Sequence, residues 1–202
     1  GGLGLVFETA SSRGHVQNSQ RGDITFAFTI RNHVVNSLAT MEAALDNRVY
    51  MHEYLREFFT GAVAEGSKDL AKNYVFGDET DPSRNRLFLQ FLLDHKIKVY
   101  ENTADHTAAG QTFKKGTSWV VPTKQPQYRM VRTMFEYVTT FADSVFYDAS
   151  AWTMAAAYGM PFAAAPTAKA GNQVTDVKAP SFSFPEGKAY AYLIDWSDYY
   201  AP

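Results

Sequence analysis

From Arg31 onward, bulky side chains recur every three or four residues: Val34, Leu38, Met41, Leu45, Val49, His52, Leu55, Phe59 and Val63. That spacing places them on one face of a helix. No proline interrupts the run, so the pattern predicts a single helix from Arg31 to about Ala64, with Gly66-Ser67 as its stop. A helix this long is expected where one domain closes and the chain crosses to the next. The reading is therefore a first domain over residues 1–66 and a second over 67–202, with Gly66 to Lys72 as the linker.

Before the helix, Leu3 to Glu8 reads as a buried strand, Thr9 to Gly22 as a polar loop and Ile24 to Ile30 as a second extended segment. After the linker an alternating rhythm begins. Strand Asn73 to Phe76 is followed by a turn, helix Ser83 to His95, strand Ile97 to Glu101, a polar stretch Asn102 to Lys115 and strand Thr117 to Pro122. Helix Gln127 to Val138, a short helix near Ala149 to Tyr158, a loop from Gly159 to Gly187 and a last strand Ala189 to Asp195 complete it. Asp81 before Pro82 supplies an N-cap with proline at the first helical position. Strands alternating with helices predict an α/β fold with a mainly parallel sheet. The long loop at 159–187 is expected to be a lid, a contact surface or the seat of an unrecognised element.

Composition narrows the function classes. With 46% apolar residues the chain can build a core, and 19 basic against 21 acidic residues make no phosphate-tracking surface. Nucleic acid is not an expected partner. There is no cysteine, which removes disulfides, thiolate metal sites and cysteine nucleophiles from these 202 residues. No apolar run approaches the roughly 20 residues of a membrane span.

Glu8 is the candidate catalytic residue. It sits at the end of a short apolar strand, before a polar, glycine-containing loop, where a rigid support can aim a carboxylate and partial burial can tune it. The bland alternative is a glutamate paired with Arg13 at a sheet edge. The run Phe7-Glu8-Thr9-Ala10-Ser11-Ser12-Arg13-Gly14 resembles the stretch that carries the general-base glutamate in carboxypeptidase A-like zinc metallopeptidases, notably large multidomain bacterial members. The likeness continues through Ile24–His33 and Asn36–Thr40. It implies a first domain that is the end of a carboxypeptidase-like mixed sheet plus a long helix. It also implies Glu8 as general base, a peptide substrate, zinc in the full-length parent and a periplasmic or secreted location. The zinc ligands of such a parent would precede Leu3, so this segment alone would hold no zinc and be inactive, packing against the missing upstream peptidase domain.

Arg13 and His15 are the supporting residues of the loop. Arg13 has three open roles: orienting Glu8, binding a substrate carboxylate, or fastening the loop. His15, His33, His52, His95 and His106 stand far apart, without metal-ligand spacing. His52 and His33 read as packing residues.

In the second domain, Gly116–Pro122 with Gln125-Pro126, and Phe146–Trp152, resemble the region that follows the peptidase domain in the same bacterial proteins, a region similar to class I glutamine amidotransferases. A truncated, flavodoxin-like parallel accessory domain is thereby implied. With no cysteine and no Gly-x-Ser-x-Gly elbow it has no activated nucleophile. The competing reading of the whole chain is a non-catalytic structural or binding module.

Overall fold

The computed structural model describes residues 2–8, 12, 14–140, 153–178, 187–188 and 190–201. The chain divides into two compact units, Gly1–Phe59 and Thr60–Pro202.

In the first unit a small antiparallel hairpin joins β1 (Val16–Ser19) to β2 (Gly22–Thr25). Ser19 Oγ donates to the Gly22 carbonyl at 2.6 Å and Asn18 Nδ2 to Asp23 at 2.8 Å, which closes the turn. The loop expected over Thr9 to Gly22 thus contains a strand. The extended segment expected to reach Ile30 stops at Thr25, because Thr25 caps a helix: its hydroxyl accepts from the Phe28 N–H at 3.1 Å. Helix α1 (Phe26–Asp46) follows, and α2 (Arg48–Lys68) begins two residues later. The single long helix is therefore two, broken at Asn47. The i→i−4 bonds from Asn47 N–H to Ala43 and from Met51 N–H to Asn47 persist, but the Asn47 backbone leaves helical geometry at φ −100°, ψ 16°, and its side-chain amide also donates to the Ala43 carbonyl. An asparagine that hydrogen-bonds the backbone locally competes with helix continuation, which apolar spacing cannot register.

Leu3 to Glu8 forms no strand. A strand needs a neighbour for its backbone groups, and no described residue pairs with this segment. Its side chains are exposed, Val6 to 88%. On α1, Phe26, Ile30, Val34, Leu38, Met41 and Leu45 follow one another at three- or four-residue steps and are all 49–63% exposed. The apolar stripe exists, but nothing among the described residues of this unit covers it.

The second unit closes a core of its own. Its strands are β3 (Asn73–Phe76), β4 (Val99–Asn102), β5 (His106–Ala108), β6 (Gln111–Phe113), β7 (Trp119–Pro122), β8 (Phe162–Ala164) and β9 (Ala170–Val174). Its helices, after the end of α2, are α3 (Pro82–Asp94), α4 (Tyr128–Phe135) and α5 (Met154–Ala157). Five strands form one sheet in the order β8-β3-β7-β4-β9, every neighbouring pair antiparallel. This overturns the expected parallel, flavodoxin-like or amidotransferase-like sheet. The physical reason lies in the connections. Helix α3 joins β3 to β4, but β7 lies between those two strands and runs the other way. In the same manner β8 is reached from β7 with β3 between them. The connectivity over β3-α3-β4-β7-α4-β8 is that of the split βαβ, ferredoxin-like arrangement, with β9 added at one edge. Strand-helix alternation in a sequence is common to both designs.

One sheet face is covered by helices: Tyr74, Phe76, Val99 and Val121 pack with Phe88, Leu89 and Leu92 of α3, Val131, Met134 and Phe135 of α4, and Ala155 of α5. Phe135 lies at the centre, stacked on Tyr74 at 5.1 Å and edge-on to Phe88 at 5.8 Å. The opposite face is partly covered by the β5-β6 hairpin, whose Phe113 packs with Val75, Ala163 and Ala165. That hairpin occupies the polar stretch after Asn102. Likewise β8 and β9 are elements inside the loop expected at 159–187, both three to five residues long and rich in alanine or polar residues, hence without an apolar signature. The strand expected at Ala189 to Asp195 is absent from its described residues, and the region 149–152 lies outside them.

Candidate functional site

Glu8 lies in the exposed, irregular segment 2–8 and is itself exposed. Among the described residues it makes no hydrogen bond or ion pair. Arg13 lies outside the described residues. His15 is exposed beside β1; its carbonyl accepts from the Phe26 N–H at 3.0 Å, which ties the hairpin to the start of α1. Ser12, buried in the same loop, donates its hydroxyl to the Gly14 carbonyl. The structure therefore places His15 in a backbone-fastening position and brings neither it nor any other described ionisable group to the Glu8 carboxylate. His33 and His52, read as packing residues, are exposed. Among the described residues no group of three or more His, Cys, Asp or Glu side chains is assembled to hold a metal ion.

A second site lies wholly within the C-terminal unit and was not legible as a motif. A cleft of about 970 Å³ opens between the first half of α3, the sheet and residues 194–201. Leu89, Trp119, Val174, Val177 and Ile194 give it an apolar lining; Glu101, Asp176, Asp195, Asp198, Arg86 and Lys178 bring charge. Two features of the fold build it. The β4-β7 register sets Glu101 directly opposite Trp119, and the Trp119 ring rests on Phe76 with centroids 5.5 Å apart and planes at 25°. On the other side, residues 195–200 are laced to the beginning of α3: Ser197 Oγ donates to the Thr80 carbonyl at 2.9 Å, the Tyr199 N–H to Asp81 Oδ1 at 3.1 Å, and the Ser83 N–H to Asp198 Oδ2 at 3.3 Å.

The lacing is centred on Asp81, which is completely buried. Its Oδ1 caps α3 by accepting from the Arg84 N–H at 2.8 Å, and its Oδ2 faces the Arg84 guanidinium at 3.0 Å. Arg84 also reaches Asp78 at 3.3 Å and the Gly159 carbonyl at 3.0 Å. Backbone N–H groups hold two cleft acids in the carboxylate form. The Tyr200 N–H, then Ser83, lower the pKa of Asp198, and the Ser197 N–H and hydroxyl lower that of Asp195. Both remain charged at neutral pH. Asp176 makes no hydrogen bond or ion pair among the described residues, and Glu101 has one long contact, from Asn172 at 3.4 Å.

No protein-family model, curated protein sequence or solved structure matches this chain.

Proposed function

We propose that this chain contributes Glu8 as the general base and general acid of a zinc carboxypeptidase-like centre whose metal is held by residues outside these 202. The observation that supports the reading is the unpaired, exposed run Leu3–Phe7 together with the uncovered apolar stripe of α1. An apolar unpaired segment and an apolar helix face in one unit are the ingredients of a layered α/β core, and among the described residues of that unit no layer covers them. In such a core the segment becomes a strand paired on both sides, and its last residue is held rigidly. The Glu8 carboxylate then takes a proton from the attacking water as the C–O bond forms, and gives that proton to the amine nitrogen as the C–N bond breaks. Among the described residues no ligand set for a metal is assembled, and in this reading the zinc ligands lie outside them.

The test is Glu8→Gln in the polypeptide that includes the zinc ligands. The substitution keeps the shape and removes the proton acceptor, so kcat should fall by about 10²- to 10⁴-fold with zinc content unchanged. Turnover at the wild-type rate would contradict the assignment. The second reading, a non-catalytic structural or binding module, is favoured by the solvent-exposed, unpartnered state of Glu8 in this chain; it expects the variant to be kinetically silent. The antiparallel C-terminal unit, with no cysteine in the chain, is in either case an accessory module without an amidotransferase nucleophile.

A further inference from the structure

The cleft of the C-terminal unit has the build of a recognition site, and its chemistry selects the ligand. Its size lies in the range of ligand-binding pockets, and apolar lining with a few placed charges is the composition such pockets share. Among the described residues four carboxylates line it against two cations. Asp198 is already engaged by backbone N–H groups and feels the charge of Arg86, and Asp195 is engaged by Ser197. Glu101 and Asp176 are the carboxylates with capacity to spare. Glu101 stands across the strand pair from Trp119, whose ring is backed by Phe76. A tryptophan face next to a carboxylate is an arrangement that attracts an organic cation, through the ring quadrupole and the charge together.

We propose that this cleft binds a peptide segment bearing a lysine or arginine side chain, with the cation received by Trp119 and Glu101 and with Asp176 adding negative charge further along the same cleft. A peptide fits better than a free polyamine because Leu89, Val174, Val177 and Ile194 offer an apolar lining that the branched aliphatic side chains of a peptide cover more fully than methylene runs interrupted by charged amines. The inference is independent of the role of Glu8, since every described lining residue belongs to the C-terminal unit.

The experiment is a nuclear magnetic resonance titration of the full 202-residue chain, following the Trp119 indole N–H. The probes are acetyl-Leu-Lys-Leu-amide, the same peptide with norleucine or glutamate at the centre, and spermidine. The lysine peptide should shift the Trp119 signal with a dissociation constant in the millimolar range or tighter, norleucine should bind several-fold more weakly, and glutamate more weakly still. Glu101→Gln and Asp176→Asn lie on the exposed rim, preserve shape, and should together weaken the lysine peptide by about tenfold. Trp119→Phe, which keeps an aromatic ring on Phe76, should weaken it by about threefold, read from the shifts of Val174 and Val177. The proposal is overturned if the glutamate peptide binds best, through Arg86 and Lys178, or if the carboxamide variants bind the lysine peptide unchanged. Spermidine binding as tightly as the peptide would overturn the peptide assignment, and no shift with any probe at about 5 mM would overturn the site.

Discussion

Phe88 and Phe26 are the same residue type, each on a helix with an apolar stripe, yet Phe88 is 0% exposed and Phe26 is 51% exposed. The contrast runs through the molecule. In the C-terminal unit, helix faces and sheet faces meet: Phe76, Phe88, Phe113 and Phe135 are all fully buried, and buried polar groups such as Gln125 satisfy backbone atoms, its side chain bridging Lys98 N–H and the Pro122 carbonyl at 2.7 Å each. In the N-terminal unit the stripe of α1 has equal regularity and, among the described residues of that unit, no facing layer. Amphipathic periodicity specifies a helix and the direction it wants to bury; it does not supply what buries it. The role proposed for Glu8 rests on this contrast, since Glu8 belongs to the exposed, unpaired segment of the same unit.

The comparison would break most visibly in the core of the C-terminal unit. Phe88→Ala leaves a cavity among Phe76, Phe91, Phe135 and Tyr158 and should cost about 3–5 kcal/mol in urea unfolding; a loss below about 1 kcal/mol would mean that this core is not close-packed. Gly77→Ala comes next. Gly77 has φ +150°, and a Cβ there would lie 2.3 Å from the Thr117 carbonyl oxygen, between β3 and the loop before β7. Overpacking of that kind should destabilise by about 1–3 kcal/mol, read as a lower midpoint with unchanged slope.

Tyr128→Phe removes a hydrogen bond from the phenol to Asp69 of 2.8 Å and should cost about 1 kcal/mol. It also carries a pH signature. Burial, then the Asp69 hydrogen bond, push the Tyr128 phenol up to about 12 from its ordinary 10. Folding favours the protonated form, so its contribution is whole below pH about 10 and fades as pH rises towards about 12. The stability difference between wild type and Tyr128→Phe should therefore shrink across that window; a difference constant from pH 9 to about 12 would contradict the cause given. The smallest effect belongs to the other region. Leu45→Ala removes a side chain that is 63% exposed, and in this 202-residue chain should cost well under about 1 kcal/mol. A cost similar to that of Phe88→Ala would show that α1 is covered after all.

Much of the C-terminal unit was legible in the sequence. Asp81-Pro82 announced the start of α3, and the apolar runs of β3 and β7 announced buried strands. What was not legible was direction and order. The intercalation of β7 between β3 and β4 depends on a return through residues 103–118 that contains a hairpin of three-residue strands, and β8 and β9 are too short and too poor in bulky residues to mark themselves. The cleft shared that fate, because Glu101 and Trp119 are far apart in the chain and meet only through the β4-β7 register. In the N-terminal unit the helix was legible but its break was not, since Asn47 acts by a local side-chain hydrogen bond. Glu8, Arg13 and His15 stood out by sequence; of these the described structure locates Glu8 and His15 and fixes only the backbone of His15.

Amide hydrogen exchange on the 202-residue chain tests the contrast most directly. With its apolar stripe uncovered, α1 should open locally: the amides of Ile30 to Leu45 should exchange at least about 100-fold faster than those of Val75 and Val120 in the central strands of the C-terminal sheet. Protection of α1 equal to that of Val75 and Val120 would contradict the account, because it would mean that the first unit already owns a closed core and that Glu8 is not waiting for a layer to complete it.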